Sequence, residues 1–215
     1  MFSFQTIIDN LPTLAWAGRF TLLISVLGCA LGLVLGAGLC AMAVSRSRAL
    51  RRLAALYVSF FRGVPLLIQL MLMYYLLPYA GIDIPRMAAA VLTVGLCAAA
   101  YIAEILRGAL NAIPRGQAEA AVAIGLGPRD IWARILLPQA LKIAMPALVN
   151  ELILLVKASS LVSVVGIVEI TRMSQSVAAA TYRPLEIYIS AAILYLAINL
   201  ILAAIGRGFE RRLAV

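Results

Sequence analysis

Residues 20–45 carry no charged side chain, and that run alone decides the environment of the chain. A helix rises about 1.5 Å per residue, so about 20 apolar residues cross the hydrocarbon core of a bilayer. Further apolar runs follow, delimited by charges, and place five spans at about 18–45, 53–78, 87–106, 141–168 and 186–206, the second long or tilted because Arg62 falls inside it. Within hydrocarbon every backbone N–H and C=O needs a partner from the protein, and runs of this length satisfy that as helices. The expected fold is an all-α membrane protein with five transmembrane helices in a single domain over residues 1–215.

Composition removes whole classes of function. With 64% apolar and 13% charged residues the chain is neither a soluble enzyme nor disordered. It has no histidine, so the usual general base and the commonest metal ligand are missing. No catalytic residue, bound metal or cofactor is expected. Cys29, Cys40 and Cys97 lie in apolar runs and are odd in number, which suits packing and not a disulfide framework. The net charge of +9 does not indicate nucleic acid, because the basic residues are scattered between apolar runs.

Their distribution sets an orientation. Arg46, Arg48, Arg51, Arg52, Arg107, Arg115, Arg129, Arg134, Lys142, Arg207, Arg211 and Arg212 fall on one side of a five-span arrangement, and only Arg19, Arg86, Arg172 and Arg183 on the other. Basic loops stay cytoplasmic. The N-terminus is expected outside and the C-terminus inside. An odd number of spans cannot form two equal halves, so a pathway needs a second subunit.

The connection over 107–140 is too long for a plain helix linker. Ala-rich 117–124 favours a helix, Gly125 a stop, and Gly127 with Pro128 a restart, with Asp130 at the new helix N-terminus and Pro138 interrupting it. A hairpin resting on lipid would present bulky apolar residues opposite Lys and Arg. Here the face is small and alanine-rich, which favours docking of a cytoplasmic protein.

Glu119, Ala120, Ala121, then Gly125, Ile135, Leu137 and Pro138 have the spacing of the EAA loop of binding-protein-dependent ABC importer permeases, which this segment resembles. FRGVPLLIQ from Phe61, AYIAEILRGALNAIPRGQ from Ala100, LPQALKIAMPALVNELI from Leu137 and KASSLVSVVGIVEITR from Lys157 are similar to the polar amino acid branch, of the histidine, glutamine, arginine and cystine type. The resemblance covers nearly the whole chain. It implies a type I importer fold in the bacterial cytoplasmic membrane, with N-terminus outside, and a permease paired with itself or a similar chain. It also implies two separate ATP-binding subunits that hold ATP and Mg, a substrate-binding protein outside, and docking of the ATPase on Glu119, Ala120, Ala121, Gly125, Gly127 and Pro128. The residues agree on one point: Lys142 and Lys157 follow Leu141 and Val156, not a glycine-rich phosphate loop. The branch pattern has an acidic residue after the fourth-span lysine, and this chain has Ala158.

Charges inside a span cost about 3 kcal/mol each on insertion scales and need a reason. Glu104 and Arg107, three apart, can pair on one helix face, and Arg62 can snorkel to the cytoplasmic side. Glu151 and Lys157 turn to separate faces, the first in line with Leu155 and Ala158, the second with Asn150, Leu154 and Leu161. Either can serve an intersubunit ion pair; Glu151 can instead bind the ammonium of an amino acid. The candidate pathway residues are Glu151, Asn150, Leu155, Ala158, Ser159, Ser160 and Glu104. The rival readings are a self-contained proton- or ion-coupled carrier using Glu104 and Glu151, and a membrane scaffold without a pathway.

The orientation has a direct check. Single cysteines replacing Arg48 or Arg211 are expected to resist an impermeant thiol reagent applied from outside, and ready labelling at either position contradicts the assignment.

Overall fold

The computed structural model describes residues 2–213, and side chains through Arg211; the side chain of Arg212, counted above with the basic tail, lies outside the described residues. The described residues contain helices and turns only. Four helices are long and apolar enough to cross a membrane, and a bent pair makes a fifth crossing if counted as one span.

Helix α1 (Phe4–Ala43) starts well before the apolar run. Its Ser3 hydroxyl accepts the Thr6 amide and so caps the first turn. The extra turns are packed, not free: Leu14 is fully buried in a small cluster with Ala178 and Ile187.

The segment expected to form one long or tilted second span is two helices. Helix α2 (Arg48–Gly63) and helix α3 (Leu66–Tyr79) meet at a 102° bend. Pro65 lacks an N–H and its ring would clash with the preceding turn, so a straight helix cannot continue through it. Helix α2 lies across helix α4 (Arg86–Asn111), where the Tyr57 hydroxyl donates to the Leu96 carbonyl at 2.8 Å and Ala54 is buried.

The centre of the molecule is the contact between α1 and α4. Gly28, Gly32 and Gly36 recur every four residues on α1 and face Val94, Ala98 and Ile102, which recur every four residues on α4. A Cβ at Gly32 would stand 2.7 Å from the Ala98 Cβ, and one at Gly28 would stand 2.6 Å from a Val94 methyl. Small residues permit such an approach, and between membrane helices close packing is the main source of association. Leu70 of α3, Leu155, Val162 and Ile24 close over this contact to complete the core.

After helix α5 (Arg115–Ala123), the short helix α6 (Pro128–Asp130) runs on through a π-helical segment, Ile131–Leu136, into helix α7 (Leu137–Ala158). The expected interruption at Pro138 is therefore absent. Pro138 sits in the first turn of α7, and the wider turn of the π segment before it leaves room for the pyrrolidine ring. A 3₁₀ stretch, Ser159–Val165, ends α7.

The connection to the last span is itself a helix, α8 (Ile170–Thr181), before helix α9 (Pro184–Leu213). Glu169 caps α8, accepting the amides of Thr171 and Arg172 at 2.9 and 2.8 Å and the Tyr195 hydroxyl of α9 at 2.9 Å. Fully buried, it locks α8 onto α9. The starts of α1 and α9 also meet, where the Ser3 amide donates to Glu186. Further along, Gly18 lies beside Ile198, so the two helices run in the same direction.

Packing at the glycine stripe is tested by contrast. Gly32→Leu is expected to destabilise the purified protein by about 1–3 kcal/mol through overpacking. Gly38→Ala, which meets nothing within 4 Å, is expected to leave the melting temperature unchanged or to raise it slightly, since alanine favours a helix interior over glycine by about 0.5–1 kcal/mol. Equal melting temperatures for the two variants contradict the role given to the stripe.

Candidate functional site

Two regions gather the candidate residues, one in α7 and one in the turn between α5 and α6.

In α7, Glu151 is 6% exposed within the single chain. It lies in line with Leu148 and Leu155, both packed against the central core, so the stripe reads inward. Among the described residues Glu151 has no hydrogen bond and no ion pair, although its oxygens are not sealed off completely. A buried carboxylate without a protein partner is costly, which separates it from the other acids of the chain. Lys157 is the opposite case: exposed, and unpaired among the described residues. That position suits an intersubunit contact.

The remaining α7 candidates do not form one cluster. Asn150 is exposed and turned away from Glu151, Leu155 is buried, and Ala158 is half-buried at the end of the helix. Ser159 donates to the Val156 carbonyl at 2.9 Å and Ser160 to the Lys157 carbonyl at 2.7 Å. Both hydroxyl protons are thus held by the helix itself. Glu104 is elsewhere and occupied. Arg107 grips it through two nitrogens at 2.9 and 2.6 Å, as the spacing suggested, and Arg62 stands 3.7 Å from it. Instead of snorkelling alone, Arg62 uses this carboxylate and the face of Tyr101 to tie α2 to α4.

The α5–α6 turn matches the pattern read from the sequence. Gly125 adopts φ +82°, the left-handed conformation, while its N–H donates to the Val122 carbonyl and the Leu126 N–H to the Ala121 carbonyl. Gly127 then precedes Pro128, which opens α6. The exposed surface differs from the small alanine face expected. Glu119 and Ala120 are exposed, but Ala121 faces inward at 3% exposure. Val122 at 63% and Ile124 at 77% stand out into solvent instead. The tip thus carries two exposed branched aliphatics beside a carboxylate.

A cleft of about 460 Å³ lies between the ends of α3 and α4, at Tyr74, Asp83 and Arg86, and one of about 610 Å³ lies between α1, α4 and α7, at Cys40, Leu110 and Trp132. Neither is lined by Glu151. Two residues that the sequence reading passed over do structural work, Gln69 and Glu169. Both lie in segments quoted for the family resemblance, and Glu169 stands directly before an α8 whose first turn it caps, a signal that N-cap chemistry could have found.

Over residues 28–215 the chain matches the model of a family described as binding-protein-dependent transport system inner membrane component. The chain belongs to this family. It is 42% identical to the arginine transport system permease protein ArtQ of Bacillus subtilis, over 98% of this chain and 96% of the relative. It is 38% identical to the glutamine transport system permease protein GlnP of Escherichia coli, over 100% and 99%. A crystal structure of an amino acid ABC transporter with histidines superposes with TM-score 0.92 at 33% identity, covering 99% of both chains. A methionine ABC transporter, MetNI, shares the fold with TM-score 0.77. The chain is therefore an ABC transporter permease and neither a self-contained carrier nor a scaffold.

The exposed turn generates a prediction. Gly125→Val forces a branched residue into the left-handed region, at a cost of about 1–2 kcal/mol, and Glu119→Lys reverses the charge at the tip. Each is expected to leave membrane insertion intact and to weaken co-purification of the ATPase. Retained co-purification with unchanged substrate-stimulated hydrolysis contradicts the docking role.

Proposed function

We propose that this permease forms one half of a pathway importing a polar L-amino acid, with Glu151 as ligand for the substrate ammonium. The observation that carries the reading is the buried Glu151 carboxylate, which has no partner among the described residues. An amino acid in transit gives up hydration at both charged groups, and a fixed carboxylate replaces part of it for the cation. The relatives are named for arginine and for glutamine, so their names do not choose between a cationic and a neutral substrate. Ala158 favours the neutral one. With Ser159 and Ser160 bonded to their own helix, Glu151 is the only anionic group of this stretch, and one carboxylate satisfies one cation.

The second half of the pathway comes from another permease subunit, a copy of this chain or a similar one. Exposed Lys157 and Asn150 belong to that contact. The chain crosses the bacterial inner membrane five times, counting α2 and α3 as one crossing, with its N-terminus outside. On the cytoplasmic side the turn at Gly125 docks a pair of ATPase subunits, which bind ATP and Mg. A substrate-binding protein delivers the amino acid to the outer mouth.

The test is uptake by the reconstituted complex. Glu151→Gln is expected to lower transport by about 10-fold or more, the loss of a charged hydrogen bond, with substrate affinity of the binding protein unchanged. Ala158→Asp is expected to shift preference towards lysine or arginine. Normal transport by Glu151→Gln removes that residue from the pathway.

A further inference from the structure

We infer that Gln69 is a positioning residue for transport: its side-chain amide holds open the break in the second span. The break strands backbone carbonyls at the end of α2. In a continuous helix the Phe61 carbonyl would accept the N–H of residue 65, but Pro65 has none. The Val64 carbonyl would accept the N–H of Ile68, which donates instead to the Pro65 carbonyl at 2.9 Å. The Arg62 and Gly63 carbonyls at the bend lose their helical donors too. Of the four, Gln69 serves those of Phe61 and Val64: its Nε2 donates to the Phe61 carbonyl at 2.9 Å and to the Val64 carbonyl at 2.7 Å. The Cys97 thiol also donates to the Phe61 carbonyl at 3.8 Å.

The other end of the same side chain supports the assignment. Gln69 is 5% exposed, and its Oε1 is buried with no partner. A residue selected for packing alone would be Leu or Met at such a place and would leave no orphan acceptor. The amide is tolerated there for what its nitrogen does. Bare backbone at membrane depth is found where it lines a cavity or is buried in protein, and broken helices in transporters form part of the substrate route. Here Gly63 and Pro65 are exposed on the single chain, while Leu70, the next residue after Gln69, is buried in the core. Gln69 therefore fixes the direction in which α3 leaves the break, and with it the packing of α3 on α4 and on the 3₁₀ stretch that ends α7. The inference rests on the chain being a transport permease, but not on Glu151 as a ligand.

The test uses the whole complex with its ATPase and binding protein in proteoliposomes. Gln69→Leu is expected to assemble and to keep binding-protein-stimulated ATP hydrolysis within about twofold, while substrate moved per ATP falls about tenfold, as expected when a positioned group is displaced. Adding Pro65→Ala to this variant returns an N–H to the Phe61 carbonyl and straightens the span. The double variant is expected to regain thermal stability but not coupling, a separation that a purely structural role would not produce. Wild-type coupling in Gln69→Leu overturns the inference, as does recovery of coupling in the double variant. If Gln69→Leu does not assemble, the double variant decides. Assembly with low coupling supports the inference, and wild-type coupling or failure to assemble counts against it.

Discussion

Inside a bilayer a peptide group cannot turn to water, so each N–H and C=O must be answered by the protein itself. The long helices of this chain meet that requirement internally, and each place where a helix stops or bends needs a local device. Ser3 caps α1, and Glu169 caps α8 while also accepting a hydroxyl from α9. At the 102° bend a single glutamine side chain covers two of the stranded carbonyls, those of Phe61 and Val64. Gly125, by contrast, sits in an exposed turn and relies on a left-handed residue and two backbone hydrogen bonds. These devices pair part of the backbone that each change of direction strands.

Close packing then places the charged groups. Glycines on α1 let α4 approach until its alanines are fully buried, and α7 closes over the pair. One face of α7 is thereby turned inward with Glu151 on it, and another is left outward with Asn150 and Lys157. Glu104 is held by Arg107 and Arg62 and serves to fasten α2 across α4. Acids of the same type thus have different surroundings because the helices that carry them pack differently.

Much of this was legible in the residues. Charge-free runs locate the spans, and the order of alanines, Gly125, Gly127 and Pro128 gives the exposed turn, because those signals are local. What escaped the sequence depends on direction or on distant partners. Hydropathy counts apolar residues and is blind to a bend, so a broken span and a tilted one read alike across Arg62 and Pro65. Pro138 reads as a stop because the π segment that accommodates it has no composition of its own. Ala121 turns inward because α5 folds back on the segment after Asp130, which its own helical period does not reveal. Gln69 and Glu169 look like ordinary polar residues until the carbonyls and amides they serve are brought beside them.

The central claim is that this chain conducts an amino acid only as part of an ATP-driven assembly. The most direct measurement is uptake into proteoliposomes of the radiolabelled amino acid that the binding protein takes, comparing the full complex supplied with ATP and binding protein against the permease alone under an imposed proton or sodium gradient. The account predicts uptake in the first case, dependent on both ATP and binding protein, and none in the second. Gradient-driven uptake by the permease alone would contradict it.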